Sequence, residues 1–490
     1  MSRVSVAKYL TLNVIWACRE SYNYLHEGAL INIHLDTNDC AIFSNQSSAH
    51  TQHRQFSCVL PALEIKTALP RTTRRLNKMD DASACLTDNE ICLALKADKS
   101  HEAKLISWTM EDVSSQTDGA TSNIKNITIK YYSSEKQEQE VYYILKVHSS
   151  RGELYDIFLN TIYMKESKFY AEVIPALNAV LKEIGSTPLS FPKCFYYNIE
   201  KGRDMIILEN LKQQDYKMES RALGISAAHA TLVLKELAKL HAASFLLQAK
   251  TPNHDLVDKF ECLQKEWTKE FKVGVDFGQF VDGYLKIGIA MFKKFGNCEK
   301  IVNWIEKIRP NAWKMYDEML VRKPPFDLIL HGDCWINNIL FSYDERNSPV
   351  DVKLFDLQGC RIGSLALDLQ HFLNLNLTGP ERRPNLPFLL AIYHKTFCDI
   401  VEAGGVTMPF TLEELREEYV SKGYYGALYA IMWLPNMVRR PEDAQDVLDV
   451  NTGAKLSELE NVLRMVDNNP LLKPRIMSVM EEWMEYGVIS

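Results

Sequence analysis

The chain has 490 residues, 24% charged and 46% hydrophobic, with a formal net charge of −7 at pH 7. That length exceeds the roughly 100–200 residues of one domain, so more than one core is expected, and the acidic balance gives no footing for a nucleic-acid partner. Eleven scattered cysteines, an odd count without a C-x-x-C, exclude a disulfide scaffold and point to a reduced, cytoplasmic protein.

Residues 1–84 do not resemble the rest. The short apolar patch from Val4 to Cys18 is interrupted by Asn13 and lacks a cleavage site, which argues against a signal peptide. Ser44–Gln55 is polar and nearly featureless, and Arg71, Arg74 and Arg75 form a small basic cluster. With no sustained period, this region is expected to be a poorly ordered extension. No apolar run in the chain approaches the roughly 20 residues needed to span a bilayer, so no membrane span is expected.

Order is expected from Thr87, where Thr87-Asp88-Asn89-Glu90 has the capping-box pattern ahead of Ile91, Leu93 and Leu95. A polar link leads to the small-residue turn Asp118–Asn123 and then to Ile127, Ile129 and Tyr131, whose alternation predicts a strand. A turn of this kind can lie over phosphates through its backbone N–H groups, which makes Ser122 a candidate contact; an ordinary hairpin is the competing reading. The chain has no G-x-x-x-x-G-K-[ST], so it is not a P-loop protein.

Val141–Val147 predicts the next strand, with Lys146 at the end of an apolar run, where a charge is costly unless paired. It reads either as a phosphate-holding lysine paired with a glutamate on the next helix or as a snorkelling edge-strand lysine. Glu166 shares a helical period with Ile162, Phe169, Tyr170 and Val173. Glu172 competes with it but falls near the helix end expected at Pro175. Lys193–Tyr197 and Met205–Leu208 predict two more strands. Glu209-Asn210-Leu211 then leaves the sheet where a hinge would offer the backbone of Glu209 and Leu211 to an adenine, unless it is simply a strand end.

From Ser226, a plausible N-cap, the chain reads as mainly helical. His241 is expected to be a packed or hydrogen-bonded helix residue. The aromatics between 255 and 320 suit either a core or a pocket wall, and Lys323-Pro324-Pro325 stops the helices.

The centre of the chain is Leu328–Phe341, an apolar run, the polar turn His331-Gly332-Asp333 and a second apolar run, followed by Val352–Gln358. Asp333 and Asn338 have the Asp-x-x-x-x-Asn spacing of a kinase catalytic loop. Phosphoryl transfer needs a carboxylate beside the acceptor hydroxyl and oxygen ligands for a divalent cation; Asp333 suits the first task, Asn338 and Asp356 the second. A β-hairpin with turn-forming Asp and Asn is the bland alternative. The short stretch from Asp356 to Asp368 leaves no room for a long activation loop or an A-P-E, so a small hydroxyl compound is the expected acceptor. Asp368 is expected to cap a helix or brace the loop. Tyr424, Tyr425, Tyr429 and Trp433 suit a pocket wall, an aromatic cage for a quaternary ammonium, or plain packing.

His331-Gly-Asp333-Cys-Trp335-Ile-Asn-Asn338 with Asp356-Leu-Gln358 resembles the ecdysteroid kinase-like proteins, within the wider choline kinase and aminoglycoside phosphotransferase group. Phe169-Tyr170, Val173-Ile174-Pro175, Glu209-Asn210-Leu211 and Leu240–Ser244 extend the resemblance over roughly residues 86–480. It implies an α+β, bilobal protein-kinase-like fold, with a mostly antiparallel N-lobe sheet plus helix over 85–211 and a largely helical C-lobe over 212–490. It also implies ATP- and Mg²⁺-dependent phosphorylation of a steroid-like or xenobiotic alcohol, with Lys146 and Glu166 holding phosphates, Asp333 as base, and Asn338 and Asp356 as metal ligands. A choline- or ethanolamine-type acceptor, or a silent nucleotide-binding module, is the alternative. Leu357 stands where the family usually has Phe, and Asn210 where it usually has Asp. Nothing in the sequence sets the oligomeric state.

Overall fold

The computed structural model describes residues 86–113, 122–148, 153–200, 203–251, 253, 255–271, 276–440, 442–443 and 457–490, with backbone alone at 122–123, 148 and 153–159. The expected N-terminal extension, the turn before residue 122 and the side chain of Ser122 lie outside the described residues.

Helix α1 (Asp88–Asp98) starts at the Thr87–Glu90 capping box and buries Ile91, Ala94 and Leu95. Arg203 Nη2 stands 2.8 Å from Glu90 Oε1 and ties this helix to the approach of β5. The apolar face of α1 packs with Ile127, Ile129, Leu145 and Ile207 in one small core. That core lies against an antiparallel sheet of β1 (Lys104–Asp112), β2 (Ser122–Tyr132), β3 (Glu138–His148), β4 (Cys194–Asn198) and β5 (Met205–Glu209), ordered β1-β2-β3-β5-β4.

Two sequence expectations are corrected here. Lys104–Asp112 is not a polar link but the edge strand β1. A register shift between Leu105 and Ser107 breaks its alternation, so no clean period of two marks it in sequence. Nor does Pro175 end the helix. Helix α2 (Glu153–Lys168) runs through a π-helical turn, Phe169–Val173, into α3 (Ile174–Glu183), whose first turn holds Pro175. Val173 and Ile174 keep right-handed helical dihedrals. Proline lacks an N–H to donate, and a wider turn just before it absorbs the mismatch.

Residues beyond β5 build the larger part. Ser226 caps α4 (Ala227–Lys250), and α5 (Phe277–Phe295) and α6 (Glu299–Ile308) follow. Four short strands come next: β6 (Asp327–Leu330), β7 (Ile339–Tyr343), β8 (Pro349–Leu354) and β9 (Arg361–Ser364). β6 pairs with β9 and β7 with β8, both antiparallel. Helices α7 (Leu365–Asn376), α8 (Leu386–Ala403), α9 (Gly423–Met437) and α10 (Leu472–Glu485) complete it. Every residue of α7 is buried, so its five polar residues Asp368, Gln370, His371, Asn374 and Asn376 must find partners inside the protein. The large apolar core also takes in Phe169–Leu181 and Phe191, which precede β5 in sequence. The second half of the long helix after β3 thus packs on α4 rather than on the sheet. The result is α+β and bilobal, a sheet-based lobe set on a helical one. Among the described residues no helix is long and apolar enough to cross a membrane.

Candidate active site

The apolar strand β6 delivers His331-Gly332-Asp333 into a tight turn. Gly332 has φ +78°, and a Cβ there would meet the carbonyl oxygen of Gly359 at 2.0 Å. Only glycine suits both the left-handed backbone and the close approach. Gly359 in turn packs against the carbonyl of Gly332 and Cβ of Asp333. The turns after β6 and after β8 therefore lie back to back, which brings the two carboxylates Asp333 and Asp356 to one site.

Buried groups on α4 and α7 hold this arrangement. Asp368 accepts from the backbone N–H groups of His331 (2.7 Å) and Gly332 (2.9 Å), and its Oδ2 lies 3.3 Å from His241 Nε2. His241 is itself buried and meets the Tyr393 hydroxyl at 2.7 Å through Nδ1. Burial pushes the Asp368 carboxyl up, but the hydrogen bond and charge of His241 and the Gly332 N–H outweigh it, leaving Asp368 below the usual value. The expected bracing by Asp368 is thus a set of direct contacts. Asn376 Oδ1 accepts from Ile336 N–H at 2.7 Å and fixes the far end of the loop. His331 accepts from Asp333 N–H at Nδ1 (3.3 Å), so its Nε2 carries the proton and donates to the Phe355 carbonyl (3.1 Å).

Asn338 donates through Nδ2 to the Asp333 carbonyl (2.9 Å) and to Asp333 Oδ2 (3.0 Å). Both amide hydrogens are spent, so the oxygen Oδ1 faces the other way. Asp356 sits at φ 63° and ψ 72°, a left-handed conformation uncommon outside glycine. Its Oδ1 is 2.8 Å from Lys146 Nζ, which also lies 2.6 Å from Glu166 Oε2. Lys146 comes from β3 and Glu166 from α2, so this triad joins the sheet, the helix and the post-β8 turn. Lys146 is 6% and Glu166 1% exposed. A buried ion pair adds little net stability over apolar packing, so its presence calls for another reason. Next to Glu166, the fully buried Lys165 donates to the carbonyls of Cys262 (2.6 Å) and Lys265 (2.7 Å) and anchors α2 on the larger lobe.

The electrostatics follow from burial and crowding. Burial works against the Lys146 charge, but Asp356 and then Glu166 overcome it and hold Lys146 above the usual lysine value. Glu166 is raised by burial, against the pull of Lys146. The Asp333 carboxyl is pushed up to about 7, first by burial and then by the charge of Asp356. The Asp356 carboxylate and the outward-facing amide oxygen of Asn338 are hard oxygen donors of the kind that suits a divalent cation. Such a cation is held by one or two carboxylates together with substrate phosphates rather than by a protein cage.

Glu209 closes β5, where its N–H donates to the Lys193 carbonyl and its carboxylate accepts from Lys193 N–H (3.1 Å) and Gln214 Nε2 (2.8 Å). Asn210 caps the short turn Leu211–Gln214 by accepting from Lys212 N–H. The family's usual aspartate would make the same cap, so the Asn costs the turn nothing. The Leu211 carbonyl accepts from Tyr216 N–H. Its side chain joins Tyr216 and Leu340, with Phe355 packed alongside, in an apolar cluster at the junction of the lobes. Tyr424, Tyr425 and Tyr429 are core: Tyr424 donates to the Ala312 carbonyl, and Tyr425 and Tyr429 stack at 4.2 Å. Trp433 packs against Phe280 and Tyr284.

Arg361, His371 and Asn376 are the residues near the site that sequence reasoning passed over. His371 and Asn376 lie just after Asp368 in a helix whose complete burial only the packed chain reveals.

Residues 116–405 match the ecdysteroid kinase-like family. No curated protein matches the chain. Among solved structures, an amicoumacin kinase in complex with AMP-PNP, Ca²⁺ and Ami is 12% identical, with a TM-score of 0.34, over 80% of this chain and 97% of its own. A glucosamine kinase in complex with glucosamine, ADP and inorganic phosphate is 11% identical, with a TM-score of 0.30, over 72% of this chain and 97% of its own. The chain belongs to the ecdysteroid kinase-like family.

Proposed function

We propose that this protein is a kinase that transfers the γ-phosphoryl group of ATP to a hydroxyl of a small molecule, with a steroid-like or xenobiotic alcohol as the favoured acceptor class. The observation that carries the reading is the convergence of Lys146, Glu166 and Asp356 from separate elements, with Asp333 and Asn338 across the same site. Family membership supports it.

In this reading Lys146 holds the nucleotide phosphates and Glu166 keeps Lys146 in place. Glu209 and Leu211 offer backbone groups to the adenine beside the apolar Leu211–Leu340 cluster. Asp333 orients the acceptor hydroxyl and takes its proton as the hydroxyl oxygen bonds to the γ-phosphorus. The bond from that phosphorus to the β–γ bridging oxygen breaks, and ADP leaves. Asn338 and Asp356 would hold Mg²⁺, which when bound neutralises developing charge on the phosphate oxygens.

Asp333→Asn is the test. Because it keeps the size and the hydrogen bond to Asn338 but removes the base, turnover is expected to fall by roughly 10²–10⁴-fold while Mg-ATP still binds. Near-normal turnover would overturn the assignment of Asp333. Mg-ATP binding without phosphotransfer to any sterol, phenol or amino alcohol would favour a silent nucleotide-binding module.

A further inference from the structure

Asp333 has a second side. Its Oδ2 is taken by Asn338, but Oδ1 faces His371, whose Nε2 stands 3.9 Å away. That gap is too long for a hydrogen bond but admits a hydroxyl oxygen touching both. His371 is 3% exposed, and its Nδ1 has no hydrogen-bond partner among the described residues. Its ring lies 5.0 Å from that of Tyr429, whose hydroxyl meets that of Tyr316 at 3.3 Å.

Arg361 projects into the same neighbourhood. Its Nε donates to the Gly359 carbonyl at 3.4 Å, and Gly359 packs against Asp333 Cβ. Its guanidinium lies 5.7 Å from the Trp267 ring and 3.3 Å, through Nη1, from Glu266 Oε1. Arg361 is 4% exposed, yet neither Nη1 nor Nη2 makes a hydrogen bond among the described residues. Nη1 keeps only the ion pair with Glu266, and Nη2 makes no hydrogen bond among the described residues, so the fork is incompletely satisfied. Two buried side chains near Asp333 that keep unfilled hydrogen-bonding capacity, the ring of one packed on Tyr429, mark a place that a ligand completes.

Resting on the kinase reading above, we propose that the acceptor binds between Asp333 and Arg361, its reacting hydroxyl against Asp333 Oδ1 and His371 Nε2 and a carbonyl or carboxylate oxygen against the Arg361 guanidinium. Arg361 is then the specificity-determining residue. A fixed cation in a buried site repels an ammonium-bearing acceptor, so amino alcohols of the choline type are selected against. The planar guanidinium gives directional donors for oxygen.

The test uses the full chain with Mg²⁺ and a non-hydrolysable ATP analogue. Binding of four probes is measured by calorimetry: benzyl alcohol itself, and three derivatives of similar size with acetyl, carboxylate or aminomethyl at the para position. The acetyl or carboxylate probe is expected to bind about tenfold or more tightly than the aminomethyl probe, a gap of about 1.4 kcal/mol. Arg361→Met should remove that preference and leave benzyl alcohol within about threefold. Arg361→Lys, which keeps the charge but loses the fork, should give an intermediate value. Unchanged affinity for the ATP analogue shows that the variants are folded, and Glu266, partly exposed, can rehydrate in them. Equal binding of all four probes, no binding of any, or a preference unaltered in Arg361→Met overturns the proposal. Phosphotransfer with ATP is read in parallel. Transfer without discrimination sinks the Arg361 assignment and spares the kinase reading; discrimination in binding without transfer to any acceptor does the reverse.

Discussion

Removing the Lys146 charge is the sharpest probe of the site. Lys146 Nζ lies between Glu166 Oε2 at 2.6 Å and Asp356 Oδ1 at 2.8 Å. The Glu166 side chain is 2% exposed and that of Asp356 20%. Lys146→Met keeps the apolar stem and leaves Glu166 as an uncompensated buried charge, so a stability loss of about 3–5 kcal/mol is expected. Asp356 contributes less because water reaches it. Adding Glu166→Gln removes the stranded charge, and the double variant should regain at least about 2 kcal/mol, well above the few tenths expected of independent sites. Activity should not follow stability. On the proposed reading Lys146 acts on the phosphates, and it is missing from both variants, so turnover should stay down about 10²–10³-fold. Urea unfolding measures the first quantity and ADP release with a working acceptor the second. A Lys146→Met variant as stable as the wild type, or a double variant that regains turnover along with stability, would refute the reasoning.

Two further outcomes follow from the loop geometry. Gly332→Ala places a Cβ 2.0 Å from the Gly359 carbonyl oxygen at φ +78°. It should cost at least about 2 kcal/mol and lower turnover by displacing Asp333, as read by thermal unfolding and steady-state kinetics; a neutral effect would contradict the back-to-back packing of the two turns. Asp368→Asn should show a characteristic pH dependence. Its folded pKa lies below the ordinary 3.8, so its stabilising contribution is complete above that value and is lost as pH falls through the folded pKa. The stability gap between wild type and variant should hold from pH 7 to about 5 and narrow only below about 4, and a gap that closes near neutrality would argue against it.

Some of this molecule is legible in the linear chain because its causes are local. The capping box at Thr87, the cap at Ser226 and the strand periods around Lys146 and Met205 each depend on neighbours within a few residues. So does the Asp333–Asn338 pair, five positions apart, whose side chains meet within one turn. A charge ending an apolar strand announces a need for a partner, and Glu166 is the residue that reaches Lys146. Other features are set by what the fold brings together. β1 is a strand because β2 supplies its hydrogen bonds, which its broken alternation conceals. The helix passes Pro175 because a π turn and packing on α4 sustain it. Asp368 becomes the brace of the loop only when a fully buried helix aims it at two backbone N–H groups. The sequence by itself determined that a carboxylate, an amide and a second carboxylate were available at kinase spacing, because those motifs are short-range. Only the tertiary structure decided that Arg361 and His371, separated from Asp333 by strands and turns, are buried near it with hydrogen-bonding capacity left unfilled, because burial and desolvation are properties of the packed chain.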